Sequence, residues 1–154
     1  MEGRVEIERW TCKLVREPSG LTVPGATSLH MNAPFRVACL MRAIYGEEPQ
    51  ENFAVFILSA RNMVTSVVHV TTGTVNASIV HPREVFRAAI IGNAVGIIVA
   101  HNHPSGCPEP SAEDREVTTQ LRKAGEIVGI ALVDHVVVGE NQYHSLVDGV
   151  TSTF

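Results

Sequence analysis

Two histidines separated by one residue, in His101-Asn102-His103, are followed, after ten intervening residues, by an aspartate, Asp114. On an extended backbone, side chains at i and i+2 leave from the same side, so both imidazoles can face one point. The intervening stretch carries Pro104, Gly106, Pro108 and Pro110, and it is long enough to turn back and bring Asp114 to a third vertex. Two imidazoles and a carboxylate leave the fourth position of a tetrahedral zinc to water, the arrangement of a catalytic rather than a structural centre. Zinc held in this way lowers the pKa of its water towards neutrality and polarises a carbonyl, so no Ser or Cys nucleophile is required. The mixed nitrogen and oxygen donors favour zinc, although they also suit iron or manganese.

Such a centre needs a base to take the proton from water and pass it to the leaving group. Glu51, in Gln50-Glu51-Asn52-Phe53, stands just before an expected strand and is the leading candidate. Glu47, Glu48 and Glu84 compete on chemistry alone, and the residues by themselves leave that choice open. Duller readings exist too. Ser111-Ala112-Glu113-Asp114 is also a helix capping box, which accounts for Ser111 and Asp114 without any metal. It does not account for two histidines in a Pro/Gly-rich loop after an apolar strand. His69, His81, His135 and His144 read as packing or capping residues. Asp134-His135 lies on a late strand, but its spacing demands no ligand. Cys107, four residues past His103, reads as a bystander thiol.

The elements that must position these groups follow from periodicity. Residues 4–16 alternate loosely as a strand, and 17–32, with Pro18, Gly20, Pro24 and Gly25, read as a loop. Asn32 can cap a helix over 33–45 that Gly46 stops, and Pro34 is tolerated in its first turn. Two β-rich runs, 53–59 and 64–72, suit an antiparallel hairpin. His81-Pro82-Arg83-Glu84 opens a helix running to about residue 93. The apolar run 96–100 is a strand buried on both faces that delivers the chain into His101. A helix over 111–128, a second buried strand over 130–138 and a short strand over 143–147 complete one α/β domain with a mixed sheet. The domain body is expected over 33–149, after an N-terminal strand and loop over 1–32 and before a tail at 150–154.

Composition narrows the class. The 154 residues carry a net charge of −4, which argues against a duplex-binding surface and leaves nucleic acid association without support from charge. The literal string His-Asn-His could suggest a nuclease, but nuclease motifs of that name spread their residues across a ββα unit. A zinc deaminase needs H-x-E and P-C-x-x-C, and neither occurs. Cys12, Cys39 and Cys107 show no metal-type pairing and read as free thiols, with Cys39 in the core. No apolar run approaches the roughly 20 residues of a membrane span, and the N-terminus has no apolar signal region. The expectation is therefore a cytoplasmic protein.

His101-x-His103-Pro104, six further residues and Ser111-x-x-Asp114 resemble the JAMM signature of JAB/MPN metalloproteases. His101-Asn102-His103-Pro104-Ser105-Gly106, Pro110-Ser111-x-x-Asp114, Val80-His81-Pro82-Arg83-Glu84-Val85-Phe86 and Leu132-Val133-Asp134-His135 look like the RadC family specifically. The similarity spans roughly 33–149. It implies a JAB-type mixed sheet with flanking helices, related in architecture to cytidine-deaminase-like domains. It also implies one zinc ion on His101, His103 and Asp114, Ser111 donating to the developing oxyanion, and Glu51 as general acid/base. Two departures stand out. Full-length RadC proteins usually carry an N-terminal helix-hairpin-helix-like region for which this chain has no room, so the DNA association linked to it is in doubt. Cys107 stands where the family commonly has an acidic residue. The family's historical label is DNA repair, yet its JAB relatives hydrolyse peptide or isopeptide bonds. The expected function is thus a zinc-dependent hydrolase acting on an amide bond in a peptide or isopeptide substrate, the alternative being a non-catalytic JAB scaffold.

Overall fold

The computed structural model describes residues 34–46, 48–73 and 80–154; the strand and loop expected over 1–32 lie outside them. The elements are α1 (Pro34–Tyr45), β1 (Glu51–Leu58), β2 (Val64–Gly73), α2 (Pro82–Ile91), β3 (Gly96–Asn102), α3 (Ala112–Val128), β4 (Ala131–Val138), β5 (Gln142–Ser145) and β6 (Val150–Thr153). One six-stranded sheet has the order β2-β1-β3-β4-β5-β6. Only β3 and β4 pair in parallel, joined through α3, and the remaining neighbours are antiparallel. The α/β architecture with a mixed sheet expected from the sequence is thus the one observed.

Strands with both faces covered read as continuous apolar runs rather than alternations, and β1 and β3 are of this kind. On one face, Ala54, Phe56, Ile98, Ala100 and Val136 pack beneath Val37 and Met41 of α1. On the other, Val55, Ile57, Ile97 and Val99 lie beneath Val85 and Phe86 of α2 and Leu121 of α3. The period-2 pleat decides what comes next. His101 continues the row of Ile97 and Val99, so it emerges on the side covered by α3.

His81 caps α2, accepting from the Arg83 N–H, with Pro82 at the first helical position. The residues expected to form a tail, 150–154, instead contain β6, which pairs with β5. Gly149, at a φ of 67°, makes the turn between them, and Phe154 packs on Tyr143 and Phe35. A four-residue strand is too short to leave a periodic signal, and its partner supplies the hydrogen bonds that define it. Among the described residues no helix is long and apolar enough to cross a membrane.

Candidate metal centre

His101 is the penultimate residue of β3 and is fully buried. Its ring stacks on Phe53 of β1 at a centroid distance of 5.8 Å and an interplanar angle of 11°. His103 lies just past the strand, where its N–H donates to the Val138 carbonyl at the end of β4 (2.8 Å). The loop that follows is clamped against the β4–β5 turn. Glu140 N–H donates to the Gly106 carbonyl, and a Cβ on Gly139 would stand 2.3 Å from that same oxygen. Gly106 itself has a φ of 79°, a conformation that glycine adopts at little cost.

Asp114 is reached through the start of α3. Ser111 is its N-cap, and the capping box is complete. Ser111 Oγ accepts from the Asp114 N–H (3.0 Å) and gives its own hydrogen to Asp114 Oδ2 (2.8 Å), where the Ser111 N–H also donates (2.8 Å). The capping box expected from the sequence is thus present, and it aims the carboxylate. In this arrangement the Ser111 hydroxyl hydrogen is engaged by Asp114, so donation to an oxyanion calls for rotation about Cβ–Oγ.

The three side chains converge. His101 Nε2 lies 3.0 Å from His103 Nε2 and 3.2 Å from Asp114 Oδ1, and His103 Nε2 lies 3.6 Å from Asp114 Oδ2. Ligands at zinc distances in a tetrahedron are separated by about 3.3 Å, so these spacings are those of donors around one small cation. The group could hold a metal ion. The chemistry of the donors agrees. His103 Nδ1 lies 2.8 Å from the Cys107 carbonyl oxygen, which can only accept; Nδ1 therefore carries the hydrogen when the ring is neutral, and Nε2 presents a lone pair to the cluster.

Electrostatics bear the mark of this crowding. Burial opposes ionisation of Asp114, but hydrogen bonds from His101 and His103, the His101 charge and the Ser111 hydroxyl overcome it and hold the carboxyl well below its usual range. For His103, burial works against the imidazolium. Its bonds to Asp114 and Cys107, with the negative charges of Asp114 and Glu51, outweigh that and raise its pKa.

Glu51 is the first residue of β1, and its charge reaches His103. Because Phe53 pairs with His101 across the antiparallel β1–β3 ladder, residue 51 shares the face from which His101 projects. Glu84 is committed elsewhere, to Arg83 and Arg87 on α2. Glu48 lines a polar cleft of about 270 Å³ beside His103, with Arg42, Asn102 and Glu140. Glu47 lies outside the described residues.

Three residues have partners that the sequence reading did not give them. Asn102, between the two histidines, accepts from the Asn52 N–H (2.8 Å) and donates to the Gln50 carbonyl (3.0 Å), fixing the chain on both sides of Glu51. His135 of β4 is fully buried, and its Nε2 lies 2.9 Å from His101 Nδ1; burial pushes its pKa well down. Thr118 of α3 contacts His135 Nδ1 at 2.7 Å and donates to the Asp114 carbonyl at 2.6 Å. The pairing of His135 with Asp134 in a buried strand was visible in the sequence, but a contact across 34 positions was not. Two further histidines among the described residues are as expected for satisfied polar groups: His144 contacts Thr151, and His69 contacts Tyr45 and Thr72. Cys39 is half-buried and Cys107 exposed.

The model of the RadC-like JAB domain matches residues 31–151. A UPF0758 protein of Clostridium botulinum (strain Okra / Type B1) is 42% identical over 125 residues, covering 81% of this chain and 55% of that protein. A UPF0758 protein of Staphylococcus epidermidis is 47% identical over 115 residues, 75% of this chain and 51% of that protein. The UPF0758 protein SH1266 of Staphylococcus haemolyticus is 42% identical over 120 residues, 78% of this chain and 53% of its own length. The chain thus spans about half the length of the curated relatives it matches. With the motifs, the mixed sheet and the family match in agreement, this chain belongs to the RadC family through its RadC-like JAB domain.

Proposed function

We propose that the protein is a zinc-dependent hydrolase of an amide bond in a peptide or isopeptide substrate, with His101, His103 and Asp114 as the metal ligands. The observation that carries this reading is the convergence of two imidazole nitrogens and a carboxylate at tetrahedral ligand spacing. A divalent ion held there supplies Lewis acidity and lowers the pKa of water at its open position. The chain does the rest. Glu51 takes the proton of the attacking water and delivers it to the departing amine, a role suited to a half-exposed carboxylate on the ligand side of β1. Asn102 holds Glu51 in register by gripping Gln50 and Asn52. Ser111 aims Asp114 and, on rotating its hydroxyl, donates to the oxyanion. The polar cleft beside His103 offers room for substrate next to the ligands.

The test combines metal analysis with a fluorogenic peptide and isopeptide panel, with and without chelator. Wild-type protein is expected to carry one zinc per chain and to show chelator-sensitive cleavage. Glu51→Gln is expected to keep the zinc while losing about 10²–10⁴-fold in rate. Stoichiometric zinc with no cleavage anywhere on the panel would favour a non-catalytic scaffold, and cleavage indifferent to chelator would rule out the metal mechanism.

A further inference from the structure

A metal-ligating histidine commonly gives its second N–H to a carbonyl or a carboxylate, groups that can only accept and so fix which nitrogen faces the metal. His103 follows this pattern through the Cys107 carbonyl. His101 does not: its Nδ1 meets another imidazole, His135 Nε2, at 2.9 Å. An imidazole nitrogen can donate or accept, so this contact alone leaves His101 free to turn its lone pair away from the cluster. Something must first fix His135.

Thr118 does so by counting hydrogens. A hydroxyl has one. The 2.6 Å contact between Thr118 Oγ1 and the Asp114 carbonyl oxygen requires that hydrogen, because otherwise two acceptors would face each other at close range. Thr118 Oγ1 can then only accept at its other contact, 2.7 Å from His135 Nδ1, so His135 carries its hydrogen on Nδ1. Its Nε2 becomes an acceptor, His101 Nδ1 must donate to it, and Nε2 is the one His101 nitrogen left to offer a lone pair towards His103 and Asp114.

We infer that Thr118 and His135 form a directional relay, from the Asp114 main chain to His101, whose role is to lock the metal-binding tautomer of His101. They are positioning residues and need not touch substrate. The relay starts on the residue that supplies one ligand and ends on another, so the first two turns of α3 set both the carboxylate and the imidazole. Every member except Asp114 is buried, so water does not compete for these bonds. The inference rests on the metal-centre reading for its purpose, while the contacts that carry it lie within the chain itself.

Two measurements test it. The first needs no metal and no variant in the relay: long-range ¹H–¹⁵N correlation spectra of the metal-free wild type, which report which ring nitrogens carry hydrogen. His135 is expected with its hydrogen on Nδ1, and His101 with a hydrogen on Nδ1; a hydrogen on His135 Nε2, or none on His101 Nδ1, overturns the relay. The second is zinc affinity by competition with a chromophoric chelator. Thr118→Val keeps the shape but removes the hydroxyl and is expected to weaken zinc binding about 10–100-fold, with Thr118→Ser restoring it. Thr119→Val is a matched control. Thr119 makes the same hydrogen bond to the carbonyl four residues back, that of Arg115, but faces solvent, and its affinity should equal wild type. Unchanged affinity in Thr118→Val overturns the relay while leaving the metal centre standing. Should wild type bind no zinc, the hydrolase reading falls, and the tautomer spectra alone decide the relay.

Discussion

Zinc should stabilise this fold by an amount set by how the ligands are distributed. His101 is in β3 and His103 just past its end, whereas Asp114 lies in the first turn of α3, with ten residues between His103 and Asp114. An ion bridging them ties strand to helix, a connection the unfolded chain cannot preform. A ligand at 100 times its Kd contributes about 2.7 kcal/mol to the native state. For a chain of this length each kcal/mol raises Tm by about 2–4 °C, so saturating zinc should raise it by about 5–11 °C. Differential scanning calorimetry of the metal-free protein, with and without zinc, measures this directly. Unfolded chains bind zinc through Cys and His as well, which diminishes the gain. The control is therefore His103→Ala and Asp114→Asn, which retain the three cysteines and at least six of the seven histidines. Both variants should lose most of the zinc-induced increment whatever their metal-free Tm. An unchanged Tm in wild type, or an equal increment in both variants, would refute the argument from convergence.

Zinc affinity should fall with acidification, because His103 must be deprotonated to bind. With its pKa raised, competition begins above the ordinary histidine value and costs roughly tenfold in affinity per pH unit once the ring is charged. In the metal-free protein the same shift stabilises the fold below the ordinary value and is lost as pH rises through the folded pKa. The zinc-induced gain in Tm should therefore grow from about pH 6 to about pH 8, and calorimetry at both ends checks the sign. Ser111→Ala removes an N-cap worth about 1 kcal/mol, measurable by urea denaturation. If the hydroxyl acts only by aiming Asp114, zinc affinity also drops; if it serves the oxyanion, kcat falls by about 10²–10³ with zinc affinity kept. Asp134 has its pKa raised by burial, against the bonds from Ser145, His135 and Val147. A raised carboxyl favours the fold in acid and loses that contribution as pH climbs from about 3.9 through the folded pKa. Asp134→Asn keeps the Oδ1 acceptor used by all three partners and should flatten this dependence without lowering stability near neutrality; a loss above about 2 kcal/mol in urea titrations would show that the charge itself is needed.

Much of the architecture was legible because its signals are local. The apolar run of β3, buried on both faces, its delivery into His101, the His81 cap of α2 and the capping box of α3 all depend on residues within a few positions of one another. Spacing alone placed two histidines on one side of a strand and put Asp114 within reach. β6 was not legible, since four residues carry no period and only pairing with β5 makes them a strand.

What the sequence could not decide was which distant groups meet. Glu51 and Glu84 are the same side chain chemically. The antiparallel register of β1 against β3 sets one on the His101 side of the sheet, near His103, while α2 gives the other to two arginines. His135 is a strand histidine like any other until the parallel pairing of β3 with β4, at Val99 opposite His135, brings its ring against His101. Residue types and short spacings determine which chemistry a chain can offer, because they depend on covalent geometry. Which nitrogen faces which partner depends on strand register and on helix docking, and these exist only once the apolar faces have packed.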